Sequence, residues 1–211
     1  YFYIQAVCKI KQIMKRTKKD ADLTKKNLME IAFNELVKKG FEKSGLESIA
    51  KKAGVTRGAL YWHFKNKNHL LDSIIEYNDL ESMNVAKEIF NSDHKPFEKL
   101  IKLVSLNFPE FKSKAKERNY VRMKIELYNY LNKKGDKRKV AEHFVHMCKD
   151  LLDECNKSNE LKSNIDTESA AYTILNISAG SYIKFNSVPE KFRSIEHSKK
   201  LVLDYLELIH K

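Results

Sequence analysis

Apolar residues recur along this chain at intervals of three and four, the spacing of a helix face, and no stretch alternates long enough for a strand. Leu60 and Phe64 form one such pair, and Leu70, Leu71, Ile74 and Ile75 form a stripe. Only 3 Pro and 6 Gly interrupt 211 residues. The pattern predicts helices at about Thr24–Lys39, Leu46–Ala53, Thr56–Phe64 and Lys67–Phe90. Asn91–Lys95 reads as a loop, and Pro96 can start a fifth helix because its missing N–H is spare there. Pro109 ends or kinks that helix. Further helices are predicted at about Lys114–Asn132, stopping near Gly135, then at Lys137–Lys157, Asp166–Asn186 and Ser194–His210. The chain is therefore expected to be all-α.

One segment carries more than packing. In LESIAKKAGVTRGALYWHF, Leu46 to Phe64, a small Ala50 lets a second helix cross closely above the first. Gly54 falls where the chain must turn at positive φ, which glycine takes without strain. Val55 plugs the turn, and Thr56 offers a side-chain oxygen to the free N–H groups of the next helix. Leu60 and Phe64 face inward. This is the helix-turn-helix pattern, whose second helix reads base edges in the major groove. Two packed helices of an ordinary bundle are the competing reading.

Charge favours the first reading. Residues 1–70 hold 16 Lys and Arg against 6 Asp and Glu, and the remainder holds 24 against 22. Nearly all of the net +12 thus lies on the third that contains the motif. Affinity for DNA comes largely from neutralising phosphates, so a basic head on a near-neutral body suits a DNA reader with a second task. Arg57 is the candidate for bidentate reading of guanine, Gly58 would let the backbone approach the duplex, and Thr56 and Trp62 lie beside them. For Tyr61 and Trp62 the alternative is core packing with Phe64.

The run Thr24 to Leu71 resembles the N-terminal domain of the TetR family of transcriptional regulators. The marks are Ala32, Gly40, Leu46, Ile49-Ala50, Ala53-Gly54-Val55, Leu60-Tyr61-Trp62-His63-Phe64, Lys65 and Lys67. VTRGALYWHFKNK is most similar to the AcrR-type branch, the repressors of multidrug efflux pumps. One departure is Gly45, where many members carry a Ser or Thr hydroxyl. The resemblance implies phosphate contacts by Tyr61, His63, Lys65 and Lys67; Lys25 and Ser44 complete the candidate DNA-facing set. It also implies an N-terminal three-helix domain, 14–70, and a larger C-terminal helical domain, 71–211, that binds a ligand and dimerises. Residues 1–13 are an atypical apolar and aromatic extension. Ile4, Val7, Ile10 and Met14 recur at helical spacing, so an added helix extending or packing on the first is expected there.

The dimer is expected to form from the last two helices, which the resemblance pairs into a four-helix bundle. Ala171, Ser178 and Gly180 are small enough for close approach, and Ile174, Tyr182, Phe185, Leu201, Tyr205 and Leu208 add apolar bulk. The alternative is that both are core helices of one subunit. A ligand pocket, mostly apolar with a few polar groups, would draw on Phe108, Phe111, Met123, Glu126, Tyr128, Tyr130, Phe144, Met147, Tyr172 and Asn176. By resemblance its ligand is a bulky, flat, lipophilic compound.

Several functions find no support. There is no G-x-S-x-G, no H-E-x-x-H and no Gly-rich phosphate loop, so no enzyme and no cofactor is expected. His143 and His146 beside Glu142 lack further metal ligands. Cys8, Cys148 and Cys155 are scattered without a C-x-x-C, which suits a reducing, cytoplasmic setting. No apolar run reaches the roughly 18–20 residues that span a bilayer. The expected partners are double-stranded operator DNA, a small-molecule inducer and a second copy of the chain. A ligand-independent DNA-binding protein, or a helical interaction module or enzyme, are the alternatives.

Overall fold

A computed structural model describes the backbone of all residues except 1, 42, 136–139, 184, 186–188 and 190–193, and side chains except, in addition, 2–19, 128 and 140. The side chains of the N-terminal extension, with Cys8, and of Tyr128 thus lie outside the described residues, as do the expected helix limits at Lys137 and Asn186. The described elements are α1 (Phe2–Lys39), α2 (Leu46–Lys52), α3 (Arg57–His63), α4 (Lys67–Phe90), α5 (Pro96–Ser105), α6 (Lys114–Lys134), α7 (Val140–Lys157), α8 (Thr167–Ile183) and α9 (Ile195–Ile209). The only extended pairing among the described residues is a single bridge between Leu161 and His210. The chain divides into two compact units within α4, Tyr1–Tyr77 and Asn78–Lys211. No described helix is long and apolar enough to cross a membrane.

Most helix ends carry the chemistry the sequence offers. Gly40, at φ 81°, stops α1, and its N–H reaches the Leu36 carbonyl at 2.8 Å. Pro96 opens α5. Ser113 caps α6 by accepting from the Lys116 N–H, and Ser194 caps α9 by accepting from His197. Asp166 does the same for α8 through the Ser169 N–H at 3.2 Å. At its other end, α5 stops at Ser105 rather than at Pro109. Three consecutive tight turns, from Leu106, Asn107 and Phe108 back to Leu103, Val104 and Ser105, wind the chain off before the proline.

The first helix corrects the sequence reading. It does not open at Thr24 but runs unbroken from Phe2. No glycine or proline interrupts residues 2–39. Instead of capping a new helix, the Thr24 hydroxyl donates back to the Asp20 carbonyl at 2.9 Å, a bond open to threonine inside a helix. The extension is therefore continuous with the first helix.

In the first unit the apolar core includes Leu28, Ala32 and Leu36 of α1, Ile49 and Ala50 of α2, Leu60 of α3, Phe64, and Leu70, Leu71 and Ile74 of α4. The second unit has its own core. Phe97, Leu100 and Leu103 of α5 meet Cys148, Leu152 and Cys155 of α7, Ala171 and Ile174 of α8, and Val202 and Leu206 of α9. Burial pushes both Cys148 and Cys155 thiols up to about 12, so they stay protonated and act as small apolar groups. Two polar clasps cross this unit. Buried Glu117 accepts the Ile195 N–H at the start of α9, and the Tyr182 hydroxyl donates to the Asn107 carbonyl.

The head is braced by one buried carboxylate. Glu35 of α1 is 2% exposed; Lys52 at the end of α2 donates to it, and Lys39 pairs with it at 3.2 Å. The hydrogen bond from Lys52 outweighs desolvation and holds the Glu35 carboxyl below its ordinary value. A depressed carboxyl adds stability above its unfolded value, about 4.3, and loses it as pH falls through the folded value. Glu35→Gln is therefore expected to lower head stability by about 1–3 kcal/mol at neutral pH. In thermal melts the gap from wild type should narrow as pH falls below about 4. A gap that stays constant with pH would mean that packing, not charge, carries the effect.

Candidate nucleic-acid interface

The presentation of α3 starts from the end of α2. Gly54 sits at φ 67°; its N–H reaches the Lys51 carbonyl at 3.3 Å, and that of Val55 reaches the Ala50 carbonyl at 3.1 Å. These two bonds close a Schellman turn and satisfy carbonyls that would otherwise be left over. Two residues on, Thr56 is extended, and its side-chain oxygen accepts from the Ala59 N–H at 3.1 Å. The chain leaves α2 and enters α3 with both ends capped, which fixes the crossing of two seven-residue helices. Leu60 and Phe64 are fully buried beneath.

The opposite side of α3 faces water. Arg57 and Gly58 are exposed, Tyr61 is 40% exposed and Trp62 is 74% exposed. Neither aromatic joins Phe64 in the core. Trp62 makes only an edge contact with the His63 ring at 4.6 Å among the described ring pairs. Packing in the head gives no reason for an indole this exposed, whereas stacking or groove contact with a ligand does.

Several cationic side chains lie on or near α3. The Arg57 guanidinium lies 5.4 Å from the Tyr61 ring centroid, and its Nη1 is 2.6 Å from the Glu47 carboxylate. Tyr61 and then Glu47 push Arg57 above its already high value, so it is cationic at every relevant pH. Lys25 lies 6.0 Å from the Phe64 ring and Lys67 lies 4.3 Å from that of Phe41. Lys65 is exposed, and its N–H donates to His69 Nδ1 at 3.1 Å. Desolvation, with Lys25 nearby, pushes the His63 imidazole below its ordinary value. In the free protein at neutral pH His63 is therefore neutral, with a ring N–H to donate.

Of the ten residues expected to face DNA, Ser44 is placed elsewhere. It is 2% exposed, and its hydroxyl donates to the Gly40 carbonyl at 2.7 Å and the Glu35 carbonyl at 3.3 Å. Its hydroxyl is committed to the α1–α2 turn and is not available to a phosphate. At the next position Gly45 precedes α2 in an extended conformation and gives it no side-chain cap. Sequence reasoning missed Glu47; an acidic residue on a basic face was the available signal.

The C-terminal expectations divide by face. Ala171 and Ile174 are fully buried, and Ser178 and Phe185 are each 5% exposed, so these four belong to the subunit's own core. Tyr182 is tied down by its bond to Asn107. Leu201 and Leu208 point out at 51% and 69% exposure, and half-buried Tyr205 lies between them in register. Tyr172 and Asn176, expected in a pocket, are exposed on the outer side of α8. Phe108 and Met123 are buried, Phe111, Phe144 and Met147 pack against the core, and Glu126 and Tyr130 are half-buried on α6. Glu142 and His146 are 4.0 Å apart on an exposed face, and the described residues hold no cluster of three metal-ligating side chains.

A capped, two-helix turn with a basic and aromatic outer face defines a helix-turn-helix head. Residues 28–74 match the profile described as bacterial regulatory proteins, tetR family. The HTH-type transcriptional regulator AcrR of Shigella flexneri is 40% identical over 65 residues, which cover 31% of this chain and 30% of that protein. The HTH-type transcriptional regulator TtgR of Pseudomonas putida is 41% identical over 64 residues, 30% of each chain. The likeness to these relatives thus spans less than a third of their length. Among solved structures, a putative transcriptional regulator from Saccharomonospora viridis in complex with choline superposes with a TM-score of 0.75. It is 14% identical, over 90% of this chain and 99% of that one, a likeness of fold. Residues 28–74 thus carry a tetR-type N-terminal domain, similar in sequence to that of the AcrR-type regulators.

Gly58 offers a direct test of this face. A Cβ built there would meet nothing closer than the Thr56 hydroxyl oxygen at 3.9 Å, so the fold does not require glycine. Gly58→Ala is expected to raise thermal stability by about 0.5 kcal/mol through helix propensity. It should at the same time weaken duplex DNA binding in a gel-shift titration. Undiminished binding would show that the α3 backbone does not approach DNA at this point.

Proposed function

We propose that this protein is a transcriptional repressor, not an enzyme, that binds a palindromic DNA operator as a dimer through α3 and is released by a small lipophilic ligand. The observation that carries the DNA-binding part is the outward face of α3. Arg57, Gly58, Tyr61 and Trp62 are presented together on a rigidly capped helix, in the third of the chain that holds almost all of its net charge. Thr56 and Arg57 stand at the groove-entering end, where helix-turn-helix proteins contact base edges. Lys25, His63, Lys65 and Lys67 flank them as phosphate contacts. AcrR and TtgR, similar to this chain in the head, are named as regulators, which supports the same role here. Control of an efflux pump is the extension we favour.

Dimerisation uses a different face from the buried one. On α8, Tyr172, Asn176, Ala179 and Ile183 repeat at helical spacing and are exposed or half-exposed; on α9, Leu201, Tyr205 and Leu208 do the same. Four large apolar side chains more than half exposed on two helices form the kind of surface that a second subunit covers. Gly180 borders this stripe, with open space where a Cβ would stand. We place the partner's own α8 and α9 against it. Two recognition helices would then stand about one DNA turn apart, ~34–36 Å.

Ligand control draws on the fold. The superposing regulator from Saccharomonospora viridis is in complex with choline, which supports a ligand site within this fold. The α4 helix starts in the first unit and ends in the second, so it is the covalent link through which a ligand could act. The ligand must bind the DNA-incompetent state more tightly, and operator must then weaken ligand by the same factor. Yet Tyr172 and Asn176 face outward, and Phe108 lies in the core. That placement favours a second reading, a DNA-binding dimer that answers to no ligand. Selection of duplexes from a random pool, followed by a screen of lipophilic compounds against the bound duplex at fixed salt, decides between them. No enrichment of any duplex would overturn both.

The two faces of α8 and α9 predict opposite phenotypes. Leu208→Lys combined with Ile183→Lys is expected to give a folded monomer by light scattering at micromolar concentration. Ile174→Ala is expected to cost about 2–5 kcal/mol of stability and leave the dimer mass unchanged. A dimer that survives the lysine pair would exclude this interface.

A further inference from the structure

Resting on the DNA-binding reading, we infer that Glu47 is a positioning residue that orients the Arg57 guanidinium for base reading and thereby sets sequence preference. Glu47 lies in the first turn of α2, Arg57 is the first residue of α3, and their side chains meet across the turn at 2.6 Å between Oε1 and Nη1. The guanidinium also lies 5.4 Å from the Tyr61 ring centroid. A long, rotatable side chain is thus in contact with two partners on an otherwise exposed surface.

Which nitrogen Glu47 takes is the informative detail. A guanidinium presents five N–H groups in a planar fork. An acceptor on Nη1 does not occupy the edge formed by Nε and Nη2. That edge carries two parallel donors, the arrangement that pairs with O6 and N7 of guanine. Glu47 therefore leaves one bidentate edge open for base reading, and it fixes the plane from which reading is done. Beside a duplex, an unheld arginine has strong alternatives, since phosphate oxygens line both sides of the groove and accept from any fork geometry. A carboxylate on the third nitrogen disfavours those rotations.

A bland explanation competes with this one. An acidic residue in a first helical turn interacts favourably with the helix dipole, and an exposed ion pair contributes little to folding. Both predict a small change in stability on removing Glu47 and no change in which sequence is preferred. Removing a negative charge from a DNA-facing surface should also strengthen binding to every duplex equally. Positioning makes the opposite demand on the ratio between sequences.

The test uses the full chain in four forms: wild type, Glu47→Gln, Arg57→Ala and the double variant. Each is titrated against a duplex that wild type enriches from a random pool and against a mixed-sequence duplex of equal length. Glu47→Gln is expected to bind the mixed duplex as tightly as wild type or a few-fold more tightly. Its preference for the enriched duplex should nevertheless fall by about tenfold. In the Arg57→Ala background the same substitution should leave that preference unchanged, because there is no guanidinium to orient. An unchanged preference in Glu47→Gln, or an equal drop with and without Arg57, would overturn the inference while leaving the DNA reader standing. Failure of wild type to enrich any duplex would remove both.

Discussion

The crossing of α2 and α3 is the constraint on which the rest of the head depends. Two helices of seven residues are too short to be stable alone. They persist because the turn between them leaves few backbone groups unsatisfied and because each lays one apolar side on a shared core. Gly54 takes the positive φ that the Schellman turn requires, Thr56 caps the next helix, and Leu60 and Phe64 fill the space beneath. Once the inner side of α3 is committed, its other side has no role in folding. Arg57, Gly58, Tyr61 and Trp62 are there because the helix must have an outside, and their chemistry reflects what that outside meets.

The same logic separates fold from function elsewhere in the chain. Ser44 and Glu35 are polar groups committed to the head itself, one to two carbonyls and the other to two lysines. Cys148 and Cys155 serve as core volume, with thiols too buried to ionise near neutral pH. By contrast, exposed Trp62, Leu201 and Leu208 contribute little to burial in a lone subunit. A single exposed apolar side chain is ordinary, but several gathered on one face mark a surface that meets a partner.

Much of this was legible in the sequence where local chemistry is unambiguous. Gly54 marks a positive-φ turn, Thr56 a helix cap and Pro96 a first helical turn, and the positions of α2 to α5 agree with the sequence reading to within a residue or two at most ends. The start of α1 was not legible, because threonine can cap a helix or bond back within one, and only the continuing backbone shows which. Ser44 carries the residue type of a phosphate ligand, and residue type alone does not show that its hydroxyl is committed to the Gly40 and Glu35 carbonyls. The greatest ambiguity lay in α8. Its apolar residues surround the whole helix, so periodicity does not say which side meets the subunit's own core. Ile174, expected at the interface, proved internal, whereas Ile183, which the sequence reading did not single out, is external.

The central claim is that the outer face of α3 reads the major groove from two copies of the chain. Methylation protection on a duplex enriched by wild type tests it directly, because guanine N7 lies in the major groove. The account predicts two patches of N7 protection about one helical turn apart, both lost with Arg57→Ala. A single patch, or protection confined to minor-groove adenine positions, would contradict it.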